Sequence, residues 1–126
     1  MAVNVLIVDD SAIIRKMVRR TLGMLELGLG DVHDAGDGIE ALQSLEDHWV
    51  DIVFTDLNMP NMGGMELVQR MADEPRFADI PVVVISSDRS RDRTDALAAR
   101  GITVVRKPFS SERIEAALVA ALGRRP

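Results

Sequence analysis

At 126 residues, 47% apolar and 28% charged, the chain has the size of one domain and an apolar share able to bury a core, which excludes general disorder. Fifteen Lys+Arg against 20 Asp+Glu give a net charge of −5, and cysteine is absent; the first argues against nucleic-acid binding, the second excludes disulfides, thiolate metal sites and thiol nucleophiles. No apolar run approaches the roughly 18 residues of a membrane span, and Asp9 and Asp10 interrupt the first run before a signal peptide could form, so a single cytoplasmic domain over residues 1–126 is expected.

The first strand is predicted over Val3–Val8 (VNVLIV), nearly continuous in apolar residues as a strand covered on both faces is. It runs into Asp9 and Asp10. After Ser11, the residues Ile14, Met17, Val18, Thr21, Leu22 and Leu25 fall on one helical face. A second strand, Val32–Ala35, is short and polar, which suits a sheet edge. Asp37 with Glu40 has the form of a capping box before Ala41, Leu42 and Leu45. The third strand, Val50–Thr55, ends at Asp56 and is followed by the helical stripe Leu67, Val68 and Met71.

The fourth strand, Val82–Ile85, ends in Ser86 and Ser87. Ala96, Leu97 and Ala99 mark a fourth helix, which Gly101 is placed to stop in the left-handed conformation. The fifth strand, Ile102–Val105, leads into Arg106, Lys107 and Pro108. Ser110 or Ser111 caps a last helix with the stripe Ile114, Ala117, Leu118, Ala121 and Leu122, ended by Gly123; the tail Arg124–Pro126 is expected to fray. Strand and helix alternate five times, which means a parallel sheet with helices on both faces.

Asp9, Asp10, Asp56, Ser86 and Lys107 all fall at the carboxyl ends of predicted strands. In an open α/β sheet the ligand crevice lies outside those ends, where the strand order reverses. Taken singly, Asp9 and Asp10 read as helix caps, Asp56 as a turn residue, Ser86 as a cap and Lys107 as a surface charge. Their shared placement favours a site. Two carboxylates about 4 Å apart repel by roughly 4 kcal/mol at an effective dielectric of ~20, and protonation or a divalent cation relieves this. An oxygen-only donor set points to Mg²⁺, and Lys107 supplies a point charge for a phosphate. Neither GxxxxGK[ST] nor GxGxxG is present, so a P-loop NTPase or dinucleotide enzyme is unsupported. A carboxylate such as Asp56 can still attack phosphorus.

These residues carry a resemblance. VDDS at Val8–Ser11, GDGIEAL at Gly36–Leu42, TDLNMPNMGG at Thr55–Gly64, VVVISS at Val82–Ser87 and KPF at Lys107–Phe109 resemble, in order and spacing, the receiver domains of two-component response regulators, and the length resembles the single-domain CheY-like members. The resemblance implies a doubly wound five-stranded parallel sheet in the order 2-1-3-4-5 with five helices. It implies Asp56 as phosphoacceptor from a histidine kinase or histidine phosphotransfer protein. Mg²⁺ would be held by Asp10 and Asp56, by Asp9 mainly through water, and by the backbone carbonyl of Asn58. Lys107 and Ser86 would contact the phosphoryl group, and a cis peptide would precede Pro108. The output would be altered binding of a downstream effector protein, with no nucleic acid or membrane involved, and with no catalysis beyond the domain's own phosphorylation and dephosphorylation. A relay intermediate or phosphate sink is the alternative within the family.

The chain departs from the family pattern in three places. Val104 stands where family members that switch through an aromatic carry Tyr or Phe, which puts that readout, and a flagellar-motor role, in doubt. Gly63 replaces a common capping Asp, with little expected cost. Leu57 follows the acceptor where some chemotaxis members have Trp, so Trp49 is not an active-site reporter. Two other classes fit worse: a haloacid-dehalogenase-type phosphatase needs an acid where Asn58 stands, and a flavodoxin-like flavin site would be repelled by Asp9 and Asp10. Arg89, Arg91, Arg93 and Arg100, interleaved with Asp88, Asp92 and Asp95, read as a solvated helix with local ion pairs before they read as a docking face. His33 and His48 read as isolated, and Met59, Met62, Met65 and Met71 as fillers of core gaps.

Overall fold

A computed structural model describes residues 2–25 and 28–123; the expected frayed tail lies outside the described residues. The elements alternate as β1 (Val3–Val8), α1 (Ala12–Gly23), β2 (Leu29–Ala35), α2 (Gly38–Asp47), β3 (Ile52–Thr55), α3 (Gly64–Asp73), β4 (Val82–Ser86), α4 (Arg91–Ala99), β5 (Thr103–Arg106) and α5 (Ser111–Leu122). All strand pairs are parallel and the order is β2-β1-β3-β4-β5, the doubly wound sheet that the sequence implies.

The pleat decides which helices cover which face. Val5 and Ile7 of β1, with Ile52, Phe54, Val83 and Ile85, pack against Val18 and Leu22 of α1 and Ile114 and Leu118 of α5. Leu6, Val8 and Val53 point the other way, against Ala41 and Leu45 of α2 and Leu67 and Met71 of α3. Val84, Leu57 and Leu97 of α4 form a smaller third group. From β1 the chain moves outward to β2, then returns across β1 to β3. The crevice of the switch point therefore opens between the carboxyl ends of β1 and β3.

Several local expectations change. Strand β2 begins at Leu29, three residues before Val32, and has seven residues; it is an edge, as its polarity suggests, but not a short one. Asn4 Oδ1 accepts from Asp31 N at 2.8 Å, and an ideal Cβ on Gly30 would lie 2.2 Å from that same Oδ1, so the early part of the strand depends on glycine and an asparagine side chain. β3 begins at Ile52 rather than Val50. Met17 is exposed and Leu25 lies past the end of α1. In α4 only Leu97 is buried, while Ala96 and Ala99 face solvent; a nine-residue helix laid over one edge of the sheet buries a point, not a stripe.

Asp37 and Ser110 cap their helices as the sequence suggests, while Ser11, not Asp9 or Asp10, caps α1 and Ser90, not Ser86, caps α4. Ser11, Asp37, Ser90 and Ser110 accept from Ile14 N, Glu40 N, Arg93 N and Arg113 N respectively. The return arm of the capping box reaches Gly36 N, not the cap residue, at 3.0 Å. Gly101, at φ 77°, takes the left-handed conformation after α4. Met62 and Met71 are buried with Met59 packed against their cluster, and Met65 packs against the Leu57, Val84 and Leu97 group, as core fillers do. His33 and His48 are not isolated: their rings stack at 3.8 Å between centroids, tying edge strand β2 to the end of α2.

Candidate phosphoryl and metal site

Three strand ends build the site. Asp9 and Asp10 follow β1, where Asp9 N donates to Ala35 O of β2 at 3.1 Å. Asp56 follows β3, and its N–H donates to Val8 O at 2.9 Å. Parallel pairing of β1 and β3 thus sets the two acidic strand ends side by side. Carboxylate oxygens of Asp9, Asp10 and Asp56 lie within 4.8 Å of one another. Asp9 and Asp56 are buried and Asp10 is open to solvent.

Lys107, past the end of β5, reaches into this group. Its Nζ donates to Asp9 Oδ2 at 2.9 Å and to Asp56 Oδ2 at 3.2 Å, and its N–H donates to Ser86 O at 3.0 Å. The Lys107–Pro108 peptide is cis. Burial works against the Lys107 ammonium, but the hydrogen bond to Asp9 and the charges of Asp56 and Asp9 outweigh it and hold the pKa above the ordinary lysine value. One ammonium set against three carboxylates leaves a negative surplus. The donor set is all oxygen, two members are buried in fixed positions, and the third faces the solvent from which an ion would arrive. These residues fit a hard divalent cation.

The remaining carboxylate oxygens are anchored by backbone. Asp9 Oδ1 accepts from Ser11 N at 2.9 Å, and Asp56 Oδ1 accepts from Leu57 N at 2.7 Å. Thr55 Oγ1 donates to Asp56 O at 2.9 Å. Gly64 N donates to Leu57 O at 2.9 Å, folding the start of α3 back under Asp56. An ideal Cβ on Gly64 would sit 2.2 Å from Asp56 O, so this close approach requires glycine.

Ser86 is buried and its Oγ accepts from Asp88 N at 3.0 Å. Asn58 is exposed, and its side chain faces Asp88 and Arg93 rather than the carboxylates. Asp88 also accepts from Ser90 N at 2.8 Å and from Arg93 Nη1 at 2.6 Å; the Ser90 bond, then Arg93, draw its pKa below the usual carboxylate range. The local ion pairing expected around α4 is therefore present, and Arg93 spends it at the rim of the site. Val104 is a part-buried β5 residue packed with Leu57, Val84 and Leu97.

Sequence reasoning missed Arg15. Its Nη1 donates to Asp9 O at 2.6 Å while its Nε donates to Asp34 of β2 at 3.1 Å, so it clamps the backbone of the first acidic residue. A signal was available only in retrospect, since its partners sit six residues back and 19 residues on. Lys107, by contrast, stands out: only two of the chain's 15 cations are lysines, Lys16 and Lys107.

Residues 5–119 match the family model described as "Response regulator receiver domain". The chain is 31% identical over 122 residues to "Chemotaxis protein CheY1" of Helicobacter pylori, covering 95% of this chain and 97% of that protein. It is also 31% identical to the "Chemotaxis protein CheY homolog" of Campylobacter jejuni, over 95% of this chain and 92% of that one. Among solved structures, chemotaxis protein CheY4 of Vibrio cholerae superposes with a TM-score of 0.84 at 32% identity, covering 97% of this chain and all of that one. A putative response regulator of Chloroflexus aurantiacus gives 0.86 at 25%, over 98% of this chain and all of the other. The chain belongs to the response regulator receiver domain family and is a CheY-like receiver of two-component signalling.

Proposed function

We propose that the chain accepts a phosphoryl group on Asp56 from the phosphohistidine of a histidine kinase or histidine phosphotransfer protein, and that the acyl phosphate changes which protein it binds. The observation that carries this is the convergence of three carboxylates and one ammonium, with Lys107 bonded to both Asp9 and Asp56. An Asp56 carboxylate oxygen attacks phosphorus, the donor's N–P bond breaks and the imidazole leaves. Lys107, already at the acceptor, neutralises charge on the transferring oxygens, and Asp9 positions Lys107. Ser86 gives up the amide of Asp88 to reach the new phosphoryl group, which moves the start of α4. Mg²⁺, held by Asp10, Asp56, the Asn58 carbonyl and, through water, Asp9, would supply further charge neutralisation.

The chemotaxis names of the relatives support a pathway of that kind as the first to test, whereas Val104 removes the aromatic readout. Movement then leaves through the Ser86–Asp88–Arg93 contacts and not through a tyrosine, of which the chain has none.

The test is incubation with Mg²⁺ and acetyl phosphate followed by intact mass. One added phosphoryl group, abolished by EDTA and by Asp56→Asn, is expected. Retention of the group in the Asn variant would overturn the assignment.

A further inference from the structure

At the end of the sheet opposite Asp56, a cavity of about 540 Å³ is walled by Trp49, Phe77 and Ile80 and rimmed by Glu46, Asp47 and Asp79. A second cavity of about 290 Å³ adjoins it and shares Phe77, Asp79 and Ile80. Together they make a trough under the amino ends of β3 and β4.

Two of its side chains are held in place by built supports. Trp49 is the chain's single tryptophan and is 78% exposed. Its Nε1 nevertheless donates at 3.3 Å to Oδ1 of buried Asp51, whose Oδ2 accepts from Asn4 N at 2.8 Å. Arg76 donates through Nη1 and Nη2 to Glu46, at 2.9 Å for Nη1, and through Nε to Glu74 at 2.6 Å, and it lies 5.0 Å over the Phe77 ring. A large aromatic left in water but oriented from below has already lost the freedom that binding would otherwise cost. Tryptophan and arginine are the residues most enriched at binding hot spots.

Charge decides the occupant. In the larger cavity Arg76 is shared between Glu46 and Glu74, and among the described residues neither Asp47 nor Asp79 joins an ion pair; Arg100, which lines the smaller cavity, donates to Gln69 Oε1. The apolar floor of the larger cavity, with two unneutralised carboxylates on its rim, disfavours acidic partners there and selects a cation beside an apolar group, with Trp49 offering its face to the cation.

From this juxtaposition we propose that the trough docks a protein segment carrying an apolar side chain next to arginine or lysine. It does so at a place that leaves the Asp56 end free. Such a contact is independent of the phosphorylation state and tethers the receiver to a basic partner without competing with phosphotransfer. It stands apart from the assignment of Asp56 and survives or fails without it.

The experiment uses the full chain and a short fluorescein-labelled peptide of alternating leucine and arginine, with a leucine–glutamate peptide as its counterpart, read by anisotropy. Saturable binding of the basic peptide is expected, with a blue shift of Trp49 emission and no binding of the acidic one. Trp49→Ala should weaken binding about tenfold and Asp79→Asn severalfold, while Glu112→Gln, an exposed acid on α5, should change nothing. Absence of saturable binding up to about 1 mM overturns the proposal. So does equal binding by Glu112→Gln, Trp49→Ala and Asp79→Asn variants all weakened alike, which marks a diffuse attraction to an acidic protein. Self-association lost in Trp49→Ala overturns it in favour of a second copy of this chain.

Discussion

Asp37 joins two segments that sequence treats separately: its Oδ1 accepts from Glu40 N at 2.9 Å and its Oδ2 from Asn61 Nδ2 at 2.8 Å. The first bond caps α2; the second holds Asn61, at φ 64°, in the loop that follows Asp56. Gly38 N donating to Met62 O at 2.9 Å reinforces the same junction. The Asn61 bond, then the Glu40 amide, lower the Asp37 pKa. A lowered folded value means stability present above the unfolded pKa of about 4 and lost as pH falls through the folded one. Asp37→Ala should cost about 1–2 kcal/mol at neutral pH. In urea unfolding, the gap between wild type and variant should close as the solution is acidified below about pH 4; a gap that persists there would mean the carboxylate charge is irrelevant.

The Lys107 bridge makes a prediction of opposite sign. Its raised pKa means that the ammonium's contribution is complete below the unfolded value of about 10.4 and is lost only as pH rises through the folded one. The difference in urea midpoint between wild type and Lys107→Met should stay constant from neutral pH to about pH 10 and narrow above it. Acyl-phosphate formation with acetyl phosphate should fall about 10²-fold in the variant, because Asp9 and Asp56 then face each other without the shared cation. Near-normal phosphorylation would remove Lys107 from the chemistry.

Much of this site is legible in sequence, because a short, nearly continuous apolar run shows where a central strand ends, and the acids at residues 9, 10 and 56 sit directly after such runs. What is not legible is long-range. Arg15 reads as one more helix cation until β2 brings Asp34 beside it. Asn61 reads as a turn residue until α2 presents Asp37. The start of β2 is hidden because Leu29–Asp31 look like a turn, and only Asn4 across the ladder supplies the missing partner. His33 and His48 are too far apart in sequence for periodicity to pair them. Helix α4 misleads in the other direction: alanines suggest a buried stripe, but its position at the edge of the sheet covers only Leu97.

Gly64 and Gly23 form a matched pair of tests. A methyl at Gly64 would meet Asp56 O at 2.2 Å and Leu57 Cα at 3.0 Å, both backbone atoms that cannot swing aside. Gly64→Ala should therefore destabilise by about 1–3 kcal/mol and, on the proposed function, slow phosphorylation by displacing Asp56. At Gly23, near the end of α1, nothing lies within 4 Å of the added carbon, and Gly23→Ala should stabilise by about 0.5–1 kcal/mol. Thermal unfolding of both variants measures this directly, and a neutral Gly64→Ala would show that the loop can move without cost.

Metal binding should be visible by every probe except the chain's own fluorescence. The three carboxylates lie at the carboxyl ends of the strands, while Trp49 precedes β3 and is exposed at the other end. Mg²⁺ at about 100 times its dissociation constant should stabilise the fold by about 2.7 kcal/mol, measured as a rise in urea midpoint. Asp10→Asn should abolish most of that rise with little effect on the metal-free protein, because Asp10 is exposed. Throughout the titration, Trp49 emission should stay unchanged while calorimetry records the heat of binding. An emission change that tracks the calorimetric isotherm and disappears in Asp10→Asn would mean that the two ends of the sheet communicate, and that the trough beside Trp49 is not independent of the metal site.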